Sequence, residues 1–135
     1  MPENRPKPLV AIINNNEDLI RMVSEAVKEA GCNVVSVRLV DARASKVNLE
    51  AFVREHDPDA VIFDLALPYR VNLSMLEDLK GSGVLRGRGL VLTTPNVRAT
   101  RDLLRVEAFE ITGLPEELKT VVDEVLRVAR RPEER

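Results

Sequence analysis

A chain of 135 residues, 44% of them apolar and with charges of both signs interspersed, has the size and composition of one globular domain. A net charge of −2 and the scarcity of aromatics (three Phe, one Tyr, no Trp) exclude a strong basic field and a base-stacking platform, so nucleic acid is not an expected partner. One cysteine and one histidine exclude an internal disulfide and a Cys/His zinc cluster, and no apolar run nears the roughly 20 residues that span a bilayer.

Residues 1–7 are polar and proline-rich, unlike a signal peptide, and are expected to be a disordered N-terminal segment ahead of a domain over 8–131 in a reduced, cytoplasmic setting. Leu9 to Ile13 is a continuous apolar run that reads as a strand buried on both faces. Asn14, Asn15 and Asn16 end it, reading first as turn formers that cap the helix after them and second as weak metal ligands. Glu17 and Asp18 open a helix at the end of the dipole that favours acids, and Leu19, Val23, Ala26, Val27 and Ala30 recur at helical spacing until Gly31. Val35, Val37 and Leu39 alternate as a second strand, and Asp41 to Asn48 reads as a polar connection. Leu49 to Glu55 forms a short helix, ended because Pro58 disfavours helical geometry at Asp57.

Ala60 to Phe63 is a third buried strand with Asp64 at its carboxyl end. Pro68 to Asn72 is expected as a loop, and Leu73, Leu76 and Leu79 mark a third helix closed by Gly81 and Gly83. Leu90 to Leu92 is a fourth strand finishing in Thr93 and Thr94. Pro95-Asn96 then starts a fourth helix with Leu103, Leu104 and Val106 as its apolar residues. Phe109 to Ile111 is a fifth strand. Pro115 is a first-turn proline of the fifth helix, whose stripe is Leu118, Val121, Val122, Val125, Leu126 and Ala129 and whose last turn carries Arg127, Arg130 and Arg131. The tail, 132–135, is too short for an output domain. Strands alternating with helices imply an α/β fold, a five-stranded parallel sheet with helices on both faces, which binds ligands at the carboxyl ends of its strands.

Those ends carry Asn14-Asn15, Asp64, Thr93-Thr94 and Thr112. With them, the run Asp57-Pro58-Asp59-Ala60-Val61-Ile62-Phe63-Asp64-Leu65-Ala66-Leu67-Pro68 resembles the receiver domains of bacterial two-component response regulators, the CheY-like family, from about Leu9 to Arg131. The resemblance implies a flavodoxin-like (βα)5 fold with strand order 2-1-3-4-5 and a phospho-accepting aspartate at Asp64. It places the family's switch Ser/Thr at Thr93, its rotating aromatic at Phe109, and the entry to its last helix at Leu114 to Leu118.

The departures from the family pattern matter more than the matches. The acidic pair that would hold Mg²⁺ with the aspartate is replaced by Asn14 and Asn15, and Ala66 offers only its carbonyl. The Lys-Pro pair reads Thr112-Gly113, and the Asp-Gly after the phosphorylation loop reads Val71-Asn72. Mg²⁺ demands oxygen ligands in near-octahedral geometry, and an amide oxygen brings no charge. Each lost unit-charge pair at 4 Å removes roughly 4 kcal/mol of attraction at an effective dielectric of 20. One such loss kept net weakens the ion by about three decades. Losing the acids and the lysine together leaves a more neutral pocket, easier to keep folded without metal.

The expectation is therefore an atypical receiver, a pseudo-receiver that works as a protein-interaction module. It would have no catalytic residues and no cofactor, and would present its fourth-helix, fifth-strand and fifth-helix face to a sensor kinase, an output protein or a second copy as a homodimer. The alternative is a phosphoacceptor of a phosphorelay, modified on Asp64, with weak Mg²⁺ binding at Asn15, Asp64 and the Ala66 carbonyl. An enzyme or cofactor site on the same sheet has little support: the first strand–helix turn lacks phosphate-cradling glycines, and Glu17 and Asp18 would repel a phosphate there. Arg98, Arg101 and Arg105, with Arg86 and Arg88 before them, read as a solvated basic stripe or a dock for an acidic partner.

Overall fold

The computed structural model describes residues 7–129; the expectations for residues 1–6, for Arg130 and Arg131 and for the tail lie outside the described residues. The elements follow the chain as β1 (Leu9–Asn14), α1 (Glu17–Glu29), β2 (Asn33–Arg38), α2 (Leu39–Arg43), α3 (Leu49–His56), β3 (Ala60–Asp64), α4 (Tyr69–Ser82), β4 (Gly89–Thr93), α5 (Val97–Leu104), β5 (Ala108–Phe109) and α6 (Pro115–Val128). All four strand pairings are parallel, and the sheet order is β2-β1-β3-β4-β5.

Period-two alternation sorts the central strands into two cores. Ala11, Ile13, Val61, Phe63 and Leu92 point toward α2, α3 and α4, where Leu39, Val53, Leu76 and Leu79 meet them. Val10, Ile12, Ala60, Ile62 and Val91 point the other way, toward Val23 and Val27 of α1 and Val121 and Val125 of α6. Burial on both faces explains why β1 and β3 read as unbroken apolar runs. At the opposite end from the carboxyl termini, Asp59 laces three strands. Its Oδ2 accepts the Leu9 N–H at 2.9 Å, its own N–H donates to the Leu9 carbonyl, and its carbonyl accepts the Gly89 N–H.

Four expectations are corrected. Leu39 does not extend the second strand: the pairing of β1 with β2 ends at Asn14 and Arg38, so further residues have no partner, and Leu39 starts α2 with its side chain fully buried. The polar connection expected from Asp41 thus begins as a helix. Pro68 to Asn72 is not a loop, because Pro68 stands at the N-cap of α4 and its carbonyl accepts the Asn72 N–H at 3.1 Å. The helix ends where Gly83 takes a left-handed φ of 82°, which glycine adopts without a side-chain clash. β5 is Ala108–Phe109 rather than Phe109 to Ile111. Lastly, Leu103 and Val106 near α5, and Leu126 on α6, are exposed instead of packed. Among the described residues, no helix is long and apolar enough to cross a membrane.

Candidate functional site

Asn14, Asp64 and Thr93 end their strands with the same parity as Ile12, Ile62 and Val91, so all three side chains emerge on the side of α1 and α6. The register that opposes Asp64 to Thr93 brings the two side chains together. The Thr93 hydroxyl donates to Asp64 Oδ1 at 2.7 Å. Burial, leaving Asp64 8% exposed, raises its carboxyl above the usual carboxylate range; the bonds from Thr93 and from the Ala66 N–H work in the opposite direction. Among the described residues, no Lys, Arg or His forms an ion pair with Asp64.

The neighbouring oxygens serve the backbone. Asn14 Oδ1 accepts the Asn16 N–H at 2.9 Å, an Asx turn that swings the chain off β1. Asn15 Oδ1 accepts the Val40 N–H at 2.6 Å, capping the first turn of α2 from across the sheet edge. Asn16 Oδ1 caps α1 through the Leu19 N–H. The Ala66 carbonyl accepts from Asn72 Nδ2 at 2.9 Å. At the position where the family pattern has lysine, Thr112 donates its hydroxyl to Glu117 Oε1 at 2.9 Å and its N–H to the same oxygen at 2.8 Å. Gly113 and Leu114 add two more N–H donors. Those bonds, the Thr112 N–H foremost, hold the Glu117 carboxyl below its ordinary range. Phe109 is half-buried against the core on the α6 side.

A cavity of about 200 Å³ joins these groups, lined by Asn14, Asn15, Asp64, Ala66, Glu110 and Thr112, among others. The structure therefore gathers the sequence-predicted site residues Asn14, Asn15, Asp64, Ala66 and Thr112 around one space, with Thr93 bonded behind Asp64 and Phe109 to one side. Sequence reading missed two contributors, Glu110 and Asn72, while it did place Thr94 at the end of β4. Glu110 sits at the rim and carries no pattern that would mark it. Asn72 is fully buried and holds the loop after β3 to α2, taking the Arg43 Nη1 donor at 3.2 Å. Its place four residues before Leu76 and seven before Leu79, on the buried face of α4, was the available signal. Thr94 links the Leu65 carbonyl to Thr100, which in turn lies 3.4 Å from the Tyr69 hydroxyl.

The divalent ion that the resemblance implies does not fit this donor set. One buried carboxylate lies where such an ion would need several charged oxygen ligands in fixed geometry, and the oxygens of Asn14, Asn15 and Ala66 bring no charge and are each oriented by an N–H they accept. No grouping of three His, Cys, Asp or Glu suited to a metal occurs among the described residues.

Two arginines of the basic stripe are engaged, while Arg86, Arg98 and Arg105 stay exposed as a solvated stripe would be. Arg88 turns inward: its Nη1 meets Asp57 Oδ1 at 2.6 Å and the Pro58 carbonyl at 2.9 Å, while Nε donates to the Val84 carbonyl. Arg101 pairs with Glu107 at 2.9 Å and donates to the Ala108 carbonyl. A larger hollow of about 370 Å³ beside α3 and α4 is lined by Val47, Leu49, Met75 and Leu79, away from Asp64.

No protein-family model matches the chain, and comparison with curated proteins gives no match. Solved structures do match its fold. The signal receiver domain of a Vibrio parahaemolyticus protein described as a Luxo repressor is 20% identical with a TM-score of 0.65, covering 90% of this chain and 92% of its own. The Vibrio cholerae chemotaxis protein CheY4 is 16% identical with a TM-score of 0.64, covering 88% of this chain and 98% of its own. The Mn²⁺-bound response regulator Rcp1 is 20% identical with a TM-score of 0.59, covering 86% of this chain and 90% of its own. This chain has the CheY-like receiver fold, with the strand order 2-1-3-4-5 that the resemblance implied.

Proposed function

We propose that the protein is an atypical receiver, a signal-transduction module that works through protein–protein contact and does so without Mg²⁺-dependent phosphorylation, cofactor or catalysis, in the cytoplasm. One observation carries the reading: the amide oxygens at the acid-pair positions cap the backbone at Asn16 and Val40, and Asp64 is a buried carboxylate with no Lys, Arg or His paired to it among the described residues. Phosphoryl transfer runs on charge neutralisation around the transferring group, and here neither acids nor a lysine provide it. The partner is a sensor kinase, an output protein or a second copy, met by α5, β5 and α6. Leu103, Val106 and Leu126 on and beside those elements are exposed, and β5 is an edge strand of the sheet.

The test is to incubate the protein with Mg²⁺ and acetyl phosphate, or with a phosphorylated sensor kinase, and to look for alkali- and hydroxylamine-labile phosphate on this chain. None is expected. Label on wild-type protein that disappears in Asp64→Asn would overturn the reading. It would establish instead the phosphoacceptor alternative, which the 2.7 Å contact between Thr93 and Asp64 favours; in that case Asn15, Asp64 and the Ala66 carbonyl form a weak Mg²⁺ site.

A further inference from the structure

We infer that the cavity beside Asp64 binds a compact organic cation, an ammonium or guanidinium group, which pairs with the buried carboxylate. The inference rests on the reading above, since a carboxylate committed to Mg²⁺ or to a phosphoryl group would not be open to such a ligand.

Three features point to this ligand class. First, Asp64 is more than nine-tenths buried, has no ion-pair partner among the described residues, and borders the cavity directly. A buried charge without a counterion is costly, so a cation that enters relieves a penalty already present in the empty pocket. Second, the space holds acceptors in the number such a group needs. A carboxylate has about four lone-pair positions, of which the Thr93 hydroxyl and the Ala66 N–H use two. Asn14 and Asn15 Oδ1 each have a second lone pair beyond the one that caps the backbone. Third, the charged groups that line the cavity have one sign, Asp64 with Glu110 at the rim as a second carboxylate. That field repels phosphate and draws a cation.

The choice between a metal ion and an organic cation follows from ligand demand. Mg²⁺ requires six oxygens at short, fixed distances and gives up water reluctantly. An ammonium or guanidinium group needs one matching charge and a few acceptors at hydrogen-bond distance, and guanidinium is weakly hydrated. Room is adequate, because about 200 Å³ is several times the roughly 30 Å³ share of one water. The same group can arrive as a free small molecule or as the Lys or Arg side chain of a protein partner.

The experiment is an amide NMR titration of the full chain with methylguanidinium chloride, against sodium chloride at matched ionic strength. Saturable shifts are expected at Asn15, Ala66, Glu110 and Thr112. Asp64→Asn should weaken binding by about tenfold or more, the scale of a charge-assisted pair. Glu110→Gln should weaken it less, and Asp78→Asn on α4 should leave it unchanged. Tighter binding of an arginine peptide than of its citrulline counterpart assigns the group to a protein partner. Equal binding of the two, with methylguanidinium still bound, assigns it to a free cation. No saturable shift, the same shifts with sodium chloride, or undiminished binding in Asp64→Asn would overturn the inference. Magnesium chloride serves as a separate arm. Mg²⁺ that binds at Asp64 and excludes the probe overturns the underlying reading, whereas failure of the probe with no Mg²⁺ binding overturns this inference alone.

Discussion

At the scale of single residues, the site is governed by what each polar atom is already bonded to. Asp64 illustrates the energetic consequence. Burial raises its carboxyl, so folding disfavours the charged form relative to the unfolded chain. Any stability linked to that proton is present in acid and is lost as the pH rises through the folded-state value. Asp64→Asn keeps the shape and the acceptor for Thr93 but removes the buried charge. It should therefore raise stability at neutral pH by about 1–3 kcal/mol, the usual desolvation scale for a polar group, with the gain shrinking on acidification. Urea unfolding of the two proteins between acid and neutral pH measures it; a wild type more stable than Asp64→Asn at neutral pH would refute the claim. Glu117 behaves oppositely. Its carboxyl is lowered by the N–H and O–H donors of Thr112, Gly113 and Leu114, so its contribution is present at neutral pH and is lost as pH falls through the folded-state value. Glu117→Gln should lower the melting temperature at neutral pH and converge with wild type in acid.

At the scale of elements, two contacts hold helices and loops to the sheet. Gly89 opens β4 where α6 ends, and a β-carbon there would collide with the Val128 carbonyl oxygen. Gly89→Ala should cost about 1–3 kcal/mol in denaturant unfolding by overpacking that crossing. An unchanged midpoint would show that the end of α6 moves freely. Arg88 ties α3's exit to the start of β4 through Asp57, Pro58 and Val84. Arg88→Ala should destabilise by roughly 1.5–3 kcal/mol, the range for hydrogen bonds to a charged group.

These elements also show how much was legible in advance. β1, β3, α1 and α6 were readable because burial on both faces, or an apolar stripe with capping residues, leaves a strong local pattern. α2 was not. Its five residues are capped by Asn15, a side chain 25 positions away from Val40, and nothing local announces that bond. The early start of α4 was hidden because proline was read as a loop former, although it is well placed at a helix entry. The inward turn of Arg88 was hidden too, because spacing does not distinguish a solvated cation from one folded back onto carbonyls.

At the scale of the whole molecule, the (βα)5 sheet puts the carboxyl ends of β1, β3 and β4 side by side, and that placement alone determines which residues meet. The candidate site was largely legible for this reason: once the strands were identified, Asn14, Asp64 and Thr93 had to converge. Their bonds were legible only in part. Asn14 to Asn16 act as the turn formers and helix cap that the sequence suggested ahead of weak metal ligands, whereas the bond from Asn15 to the start of α2 had no local signal, so the chemistry of the site is set by the turns around it. The receiver fold is intact, and at its strand ends Asn14, Asn15 and Thr112 are neutral side chains bonded to the adjoining turns. The most direct measurement is fluorine NMR of the protein with Mg²⁺ and beryllofluoride, a stable mimic of a phosphorylated aspartate. The account predicts only free fluoride species and unperturbed amides at Asp64 and Thr93. A stoichiometric bound signal that vanishes in Asp64→Asn would contradict it.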